Sequence, residues 1–194
     1  MEPELAALLR ELEEFGEAND RAATERGRKM LNITHDTGVL LTLLVRNGRC
    51  RDVLEVGTSN GYSTLWLAHA VGADGRVTTV ERAPDKRALA EENFRRAGLA
   101  PRIRQVAGDA GEFLDSCAPG AFDFVFLDSD RGQYADWWPA LRHVLAPGCL
   151  LVVDNAVSHA HELKDFVQRV EATEGYLSSL LPVGKGELVI LKDT

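Results

Sequence analysis

Cysteine is scarce in this 194-residue chain, and the three present, Cys50, Cys117 and Cys149, stand far apart. An odd number without close spacing supplies neither a disulfide framework nor the paired thiolates of a structural zinc site, so a reducing, cytoplasmic setting is expected. Positive charge is short as well. Against 30 aspartates and glutamates stand 22 lysines and arginines, a net charge of −8. That leaves no broad basic surface for nucleic acid or an anionic bilayer, and neither is expected as a partner. No apolar run approaches the roughly 20 residues that cross a membrane. The opening residues, MEPELAALLRELEEF, lack the basic start and unbroken apolar stretch of a secretory leader. Low-complexity tracts and internal repeats are missing too. The chain is 45% apolar, enough for one substantial core but short for two, and reads as a single domain over 1–194.

What is present is an alternation of helical and strand patterns. Residues 1–48 read as helices: Leu5, Leu8, Leu9, Leu12 and Phe15 recur at helical spacing behind Pro3, the charged stretch 19–31 follows, and Thr34 is placed to cap a helix carrying Val39, Leu40, Leu43 and Leu44. Their apolar stripes suit either packing within the chain or a homodimer. From residue 49 on the pattern is a sheet core. The runs DVLEV, RVTTVE, IRQVAGD, FDFVFLD and CLLVVD are separated by helix-length segments, as buried parallel strands require. YLSSLLPV and ELVILK are joined only by Gly184, Lys185 and Gly186, a hairpin link, so the last strand is expected to run antiparallel. The predicted fold is α/β and Rossmann-like: a seven-stranded, mostly parallel sheet with helices on both faces and an N-terminal helical extension. The terminal hairpin marks the class I methyltransferase sheet and disfavours a dehydrogenase.

The first strand runs directly into Glu55-Val-Gly-Thr-Ser-Asn-Gly-Tyr-Ser63. Gly57 and Gly61 let the backbone turn tightly beside a ligand, and amides at the next helix start attract a carboxylate, which the amino-acid end of S-adenosylmethionine supplies. Ser59 stands where a pyrophosphate-binding G-x-G-x-x-G turn would need its second glycine. Glu81 ends the second strand, where an acidic side chain accepts hydrogen bonds from ribose hydroxyls, and Asp109-Ala110 ends the third, on the adenine side or as a helix cap.

Asp128 closes the fourth strand, and Asp154 with Asn155 closes the fifth. If those strands are neighbours, three oxygen ligands converge at about one strand spacing, ~5 Å. Two carboxylates and an amide suit Mg²⁺, Ca²⁺ or Mn²⁺ better than zinc, although strand-end aspartates also serve as caps.

Over roughly 27–192 the chain resembles the cation-dependent O-methyltransferases, the group of the catechol and caffeoyl-coenzyme A enzymes, through LEVGTSNGYSTLWLA, VTTVE, AGDA, FDFVFLDSD and LLVVDNA. The resemblance implies S-adenosylmethionine as cofactor and a small hydroxylated, catechol-like substrate. It assigns the cation to Asp128, Asp154 and Asn155. Glu55, Gly57, Ser63, Glu81, Asp109 and Ala110 fall on cofactor positions, and Ile33 lies in the segment that closes over the methionine end. Two departures stand out. Arg131 occupies the place of a lysine proposed to take the substrate proton, and a guanidinium cannot serve as a base near neutral pH; it can only stabilise an oxyanion. His159 or His161 has a usable pKa for that step. The segment 156–162 is short for the family, which leaves the acceptor side open; Tyr134, Trp137 and Trp138 suit either its lining or the core. Two other readings stay open: a metal-independent methyltransferase, and a non-catalytic module binding S-adenosylmethionine.

Overall fold

The computed structural model describes residues 1–193. Helix α1 (Pro3–Ala22) and helix α2 (His35–Asn47) precede the alternating part: β1 (Asp52–Val56), α3 (Tyr62–Ala70), β2 (Arg76–Glu81), α4 (Pro84–Arg96), β3 (Ile103–Ala107), α5 (Ala110–Ser116), β4 (Phe122–Leu127), α6 (Tyr134–Val144), β5 (Leu145–Val153) and α7 (Ala160–Glu171). The hairpin β6 (Tyr176–Leu181) and β7 (Glu187–Lys192) completes the described chain. The strands form one sheet ordered β3-β2-β1-β4-β5-β7-β6, parallel except for β7, which pairs antiparallel with both β5 and β6. The expected terminal reversal is present.

Alternation along each strand divides the interior into two cores. Val53, Phe124, Phe126 and Val152 face α1 to α4, while Leu54, Val56, Val125, Leu127, Leu151 and Val153 face α5 to α7. At about 25 cal/mol per Å² of apolar surface removed from water, these two layers supply the main stabilisation. Chain order reverses between β1 and β4, so the crevice beyond their carboxyl ends is where a ligand of this architecture sits.

The N-terminal region departs from the sequence expectation. The charged stretch 19–31 is not a helix of its own. Asn19 and Asp20 belong to the end of α1, and 23–34 is irregular, with a short 3₁₀ turn at Arg26–Arg28 and a left-handed φ at Leu31. The two side chains hold the returning chain instead of a helix face: Asn19 Nδ2 donates to the Arg28 carbonyl at 2.9 Å, and the Asp20 carboxylate accepts from the Met30 and Leu31 amides at 2.6 and 2.8 Å. Thr34 does cap α2, accepting from Thr37 N. The buried side of α2 is Thr37, Gly38, Leu41 and Val45, with Leu43 exposed, because Gly38 lies flush against the Trp66 ring and fixes the helix's rotation. On α1, Leu5, Leu8, Leu9 and Leu12 are spent within the chain and Phe15 is exposed.

Candidate active site

The glycine turn hangs from the switch point. Gly57 and Gly61 take left-handed φ of +105° and +86°, and Ser59 takes +48°. A Cβ on Gly57 would lie 2.1 Å from the Asp128 carbonyl oxygen, so the absence of a side chain is what lets β1 and β4 close together at their carboxyl ends. The segment 29–33 lies across the turn: Ser59 Oγ donates to the Met30 carbonyl at 2.7 Å, and Lys86 Nζ donates to the Lys29 carbonyl at 2.7 Å. Ile33, in that segment, is itself buried.

Glu55 faces the interior. Its carboxylate accepts from Ser63 Oγ at 2.6 Å, from Thr79 Oγ1 at 2.6 Å and from Thr64 Oγ1, tying β1, β2 and the start of α3 together. Glu55 and Ser63 therefore fix the loop between β1 and α3. Burial outweighs the three donated bonds and pushes the Glu55 pKa up to about 7. The folded protein then holds a proton that the unfolded chain releases between pH ~4.5 and ~7. Stability contributed here is present below that window and lost as pH rises through it, by about 3 kcal/mol in all. Urea denaturation at pH 5 and pH 8 should show a smaller difference for Glu55→Gln than for the unmodified chain; an identical difference would refute the assignment.

Glu81 is aimed by the same loop. One carboxylate oxygen accepts from Ser59 N at 3.0 Å and the other from Ala83 N at 2.9 Å, leaving lone pairs toward the crevice. Asp109 caps α5, accepting from Gly111 N at 2.8 Å and Glu112 N at 3.2 Å. Ala110 is buried behind it, and the indole of Trp137 lies beside Gly111.

Beyond β4 and β5 stand the acidic residues. The ladders continue past the strands: Asp128 N donates to the Val56 carbonyl at 3.0 Å and Asp154 N to the Leu127 carbonyl at 3.1 Å. With Leu127 paired to Val153 and Val153 to Leu188, the next residues in register are Asp128, Asp154 and Glu187, a row on the face that holds Phe126, Val152 and Val189. Burial, then the Asp154 charge, raises the Asp128 pKa well above the ordinary carboxylate value. Asp154 is 2% exposed, with Oδ2 accepting from Asn155 Nδ2 and Oδ1 buried without a partner. Asn155 adopts φ +66°, and its Oδ1 accepts from Ser158 Oγ at 3.2 Å. Among the described residues no three His, Cys, Asp or Glu side chains already converge on one point. Yet the donor set is all oxygen and one buried oxygen is orphaned, which fits a hard cation better than a closed structural cluster.

Arg131 is buried, and its Nε donates to Glu162 Oε2 of α7 at 2.8 Å. It clamps the β4–α6 loop to α7. His159 immediately precedes α7, with Nδ1 2.9 Å from Ser158 Oγ; partial burial and then the Arg131 charge lower its pKa and favour the neutral imidazole. His161 is exposed. Tyr134 and Trp138 belong to the core: the Tyr134 hydroxyl accepts from Ser129 N at 2.6 Å, and Trp138 donates to Thr173 Oγ1 at 3.0 Å while packing edge-on to Phe166. Trp137 stays half-buried. An open groove is lined by Val157, Ser158, Pro182, Gly184, Lys185 and Gly186, just ahead of β7. The larger hollow, around Arg142, His143 and Tyr176, contains none of these residues.

Glu187 and Lys185 escaped the sequence reading. The signal for Glu187 was its place on the face of β7 shared with Val189, which packs against the α1–α4 core.

A doubly wound sheet, a glycine turn at its switch point and an acidic strand edge beside it define a Rossmann-like protein of the methyltransferase type. The sequence profile of the O-methyltransferase family matches residues 4–181, and the chain belongs to that family. It is 38% identical over 159 residues to a catechol O-methyltransferase of Mycobacterium tuberculosis, covering 80% of this chain and 66% of that protein. A catechol O-methyltransferase of Niastella koreensis is 32% identical over 143 residues, covering 72% and 65%. The chain thus spans just under two-thirds of the length of both. Among solved structures, the O-methyltransferase of Bacillus cereus in complex with S-adenosylhomocysteine superposes with a TM-score of 0.82 at 25% identity, covering 96% of this chain and 91% of that one. Among the described residues no helix is long and apolar enough to cross a membrane.

Proposed function

We propose that the protein is an S-adenosylmethionine-dependent O-methyltransferase that uses a divalent cation, Mg²⁺ or a similar hard ion, and acts on a small hydroxylated, catechol-like molecule. The observation that carries this reading is the contact between Gly57 and the Asp128 carbonyl, which puts the glycine turn and the acidic row side by side at one sheet edge. The relatives support it, being named for catechol methylation, and so does the S-adenosylhomocysteine complex of the similar fold.

In this reading the amides following Gly57 and Gly61 bind the amino-acid carboxylate, and Glu81, aimed by Ser59 N and Ala83 N, accepts from the ribose hydroxyls. Asp109 and Ala110 border the adenine. The segment carrying Met30 and Ile33 shields the methionine end from water. Asp128, Asp154 and Asn155 hold the cation, which supplies orientation and a lowered pKa to the acceptor hydroxyl. The acceptor oxygen bonds to the methyl carbon as the carbon–sulfur bond breaks, leaving S-adenosylhomocysteine. Arg131 cannot take the proton and is bound to Glu162; it offers positive potential beside Asp128. His159, kept neutral, receives the proton and passes it to solvent. A homodimer through the N-terminal helices would use the exposed Phe15, Leu31, Val39 and Leu43, since Leu5, Leu8, Leu9 and Leu12 of α1 are buried within the chain.

The test is transfer of a labelled methyl group from S-adenosylmethionine to catechol or 3,4-dihydroxybenzoate. Transfer is expected with Mg²⁺, to be lost on chelation and to return on adding the ion back. Chelator-resistant transfer would remove the cation from the scheme; no transfer to any diol would remove the acceptor class.

A further inference from the structure

We infer that Glu187 is a third carboxylate ligand of the cation site, extending the Asp128, Asp154 and Asn155 set along the sheet edge to β7. The inference rests on the cation role proposed above. Glu187 opens an edge-inserted strand, and the β5–β7 register places it directly across from Asp154. Neighbouring strands lie about 4.8 Å apart, so Asp128, Asp154 and Glu187 are successive members of one row on one face. Like charges at adjacent positions on a sheet face are destabilising, and a row of three carboxylates with Asp154 and Glu187 buried needs something positive among them, a cation or shared protons.

The hydrogen bonding shows where that need lies. Glu187 is fully buried; Oε1 accepts from Thr37 Oγ1 of α2 at 2.8 Å, and Oε2 is buried with no partner. Asp154 Oδ1 is likewise buried and unpartnered. After burial, Glu187 responds most to Asp154, through its charge and through a side-chain contact at hydrogen-bond range, and less to the Asp128 charge. Two acceptor oxygens turned toward one another cannot bond without a shared positive particle. Thr37 anchors one oxygen of Glu187 and leaves the other directed along the row, as a bound ligand would be oriented. Cations are sparse: Lys185 and Arg131 act on Asp128, but Arg131 is committed to Glu162 and Lys185 Nζ points 3.4 Å from the Asn32 carbonyl. A third carboxylate raises the site's charge, which strengthens hold on a divalent ion and favours small, hard ions that accept carboxylate oxygens.

The test is Mn²⁺ binding, followed by the electron paramagnetic resonance of the free ion with S-adenosylhomocysteine present, for the unmodified protein, Glu187→Gln and Asp154→Asn. One Mn²⁺ site is expected in the unmodified protein, at least tenfold weaker binding in Glu187→Gln, and no measurable site in Asp154→Asn. Calorimetric binding of S-adenosylhomocysteine checks that Glu187→Gln is folded; if it is not, Glu187→Asp, which keeps the charge but shortens its reach, should show the same weakening. Equal Mn²⁺ affinity in the unmodified and folded variant proteins overturns the role of Glu187 and leaves the cation reading standing. Absence of any Mn²⁺ site in the unmodified protein overturns both, with a proton shared between Asp154 and Glu187 then filling the gap.

Discussion

Replacing Gly57 by alanine is expected to abolish binding of S-adenosylhomocysteine and to destabilise the protein by about 3 kcal/mol or more. The Cβ would sit 2.1 Å from the Asp128 carbonyl oxygen, at a φ of +105° that side chains avoid. Neither backbone can yield cheaply. Gly57 N donates to the Val80 carbonyl at 3.0 Å and Asp128 N to the Val56 carbonyl at 3.0 Å, so relief means opening the ladder at the switch point. In a domain of this size that cost lowers Tm by roughly 6–12 °C. Gly72→Ala is the matched comparison. Its φ is +74°, with nothing within 4 Å of the added carbon, so it should lose only about 1 kcal/mol and bind as before. Calorimetric titration of both variants with S-adenosylhomocysteine decides the matter; wild-type affinity in Gly57→Ala would show that the turn is not the cofactor cradle.

The second large effect has opposite signs for activity and stability. Asp154→Asn should reduce cation-dependent methyl transfer at least a hundredfold while raising the stability of the cation-free protein by about 1 kcal/mol. Asp154 is the middle member of the acidic row, with Asp128 on one side and Glu187 on the other. Neutralising it relieves repulsion toward both neighbours, and the amide keeps an oxygen for the Asn155 contact. Crowded charge that weakens a fold marks a site kept for function rather than for stability. Turnover measured with Mg²⁺ in excess, beside chemical denaturation with chelator present, reads the two signs separately. A variant that lost stability along with activity would make Asp154 a structural cap.

Much of the site was written locally. The glycine turn of Gly57, Ser59 and Gly61 and the strand-end Glu81 have short-range signatures, and the fold brings Ser59 N to the Glu81 carboxylate. Thr34 was identifiable as a cap for the same reason. The stretch 19–31 misled because its charges suit a helix surface. Asn19 and Asp20 instead close a long-range return of the chain, which no window of neighbouring residues records. Arg131 was recognisable as unfit for proton transfer from its side-chain chemistry alone, whereas its bond to Glu162, 31 residues away, belongs to the packing of α7. The aromatic trio was ambiguous until burial assigned Tyr134 and Trp138 to the core.

By itself the sequence determined the parallel sheet, its reversed last strand, the glycine turn and two strand-end aspartates, because each follows from periodicity, backbone freedom or side-chain chemistry within a few residues. Only the tertiary structure decided that β7 slides between β5 and β6, and hence that Glu187 stands beside Asp154. Strand order depends on which apolar faces bury best together, a property of the whole core, and it is strand order that turns two aspartates and a distant glutamate into one row.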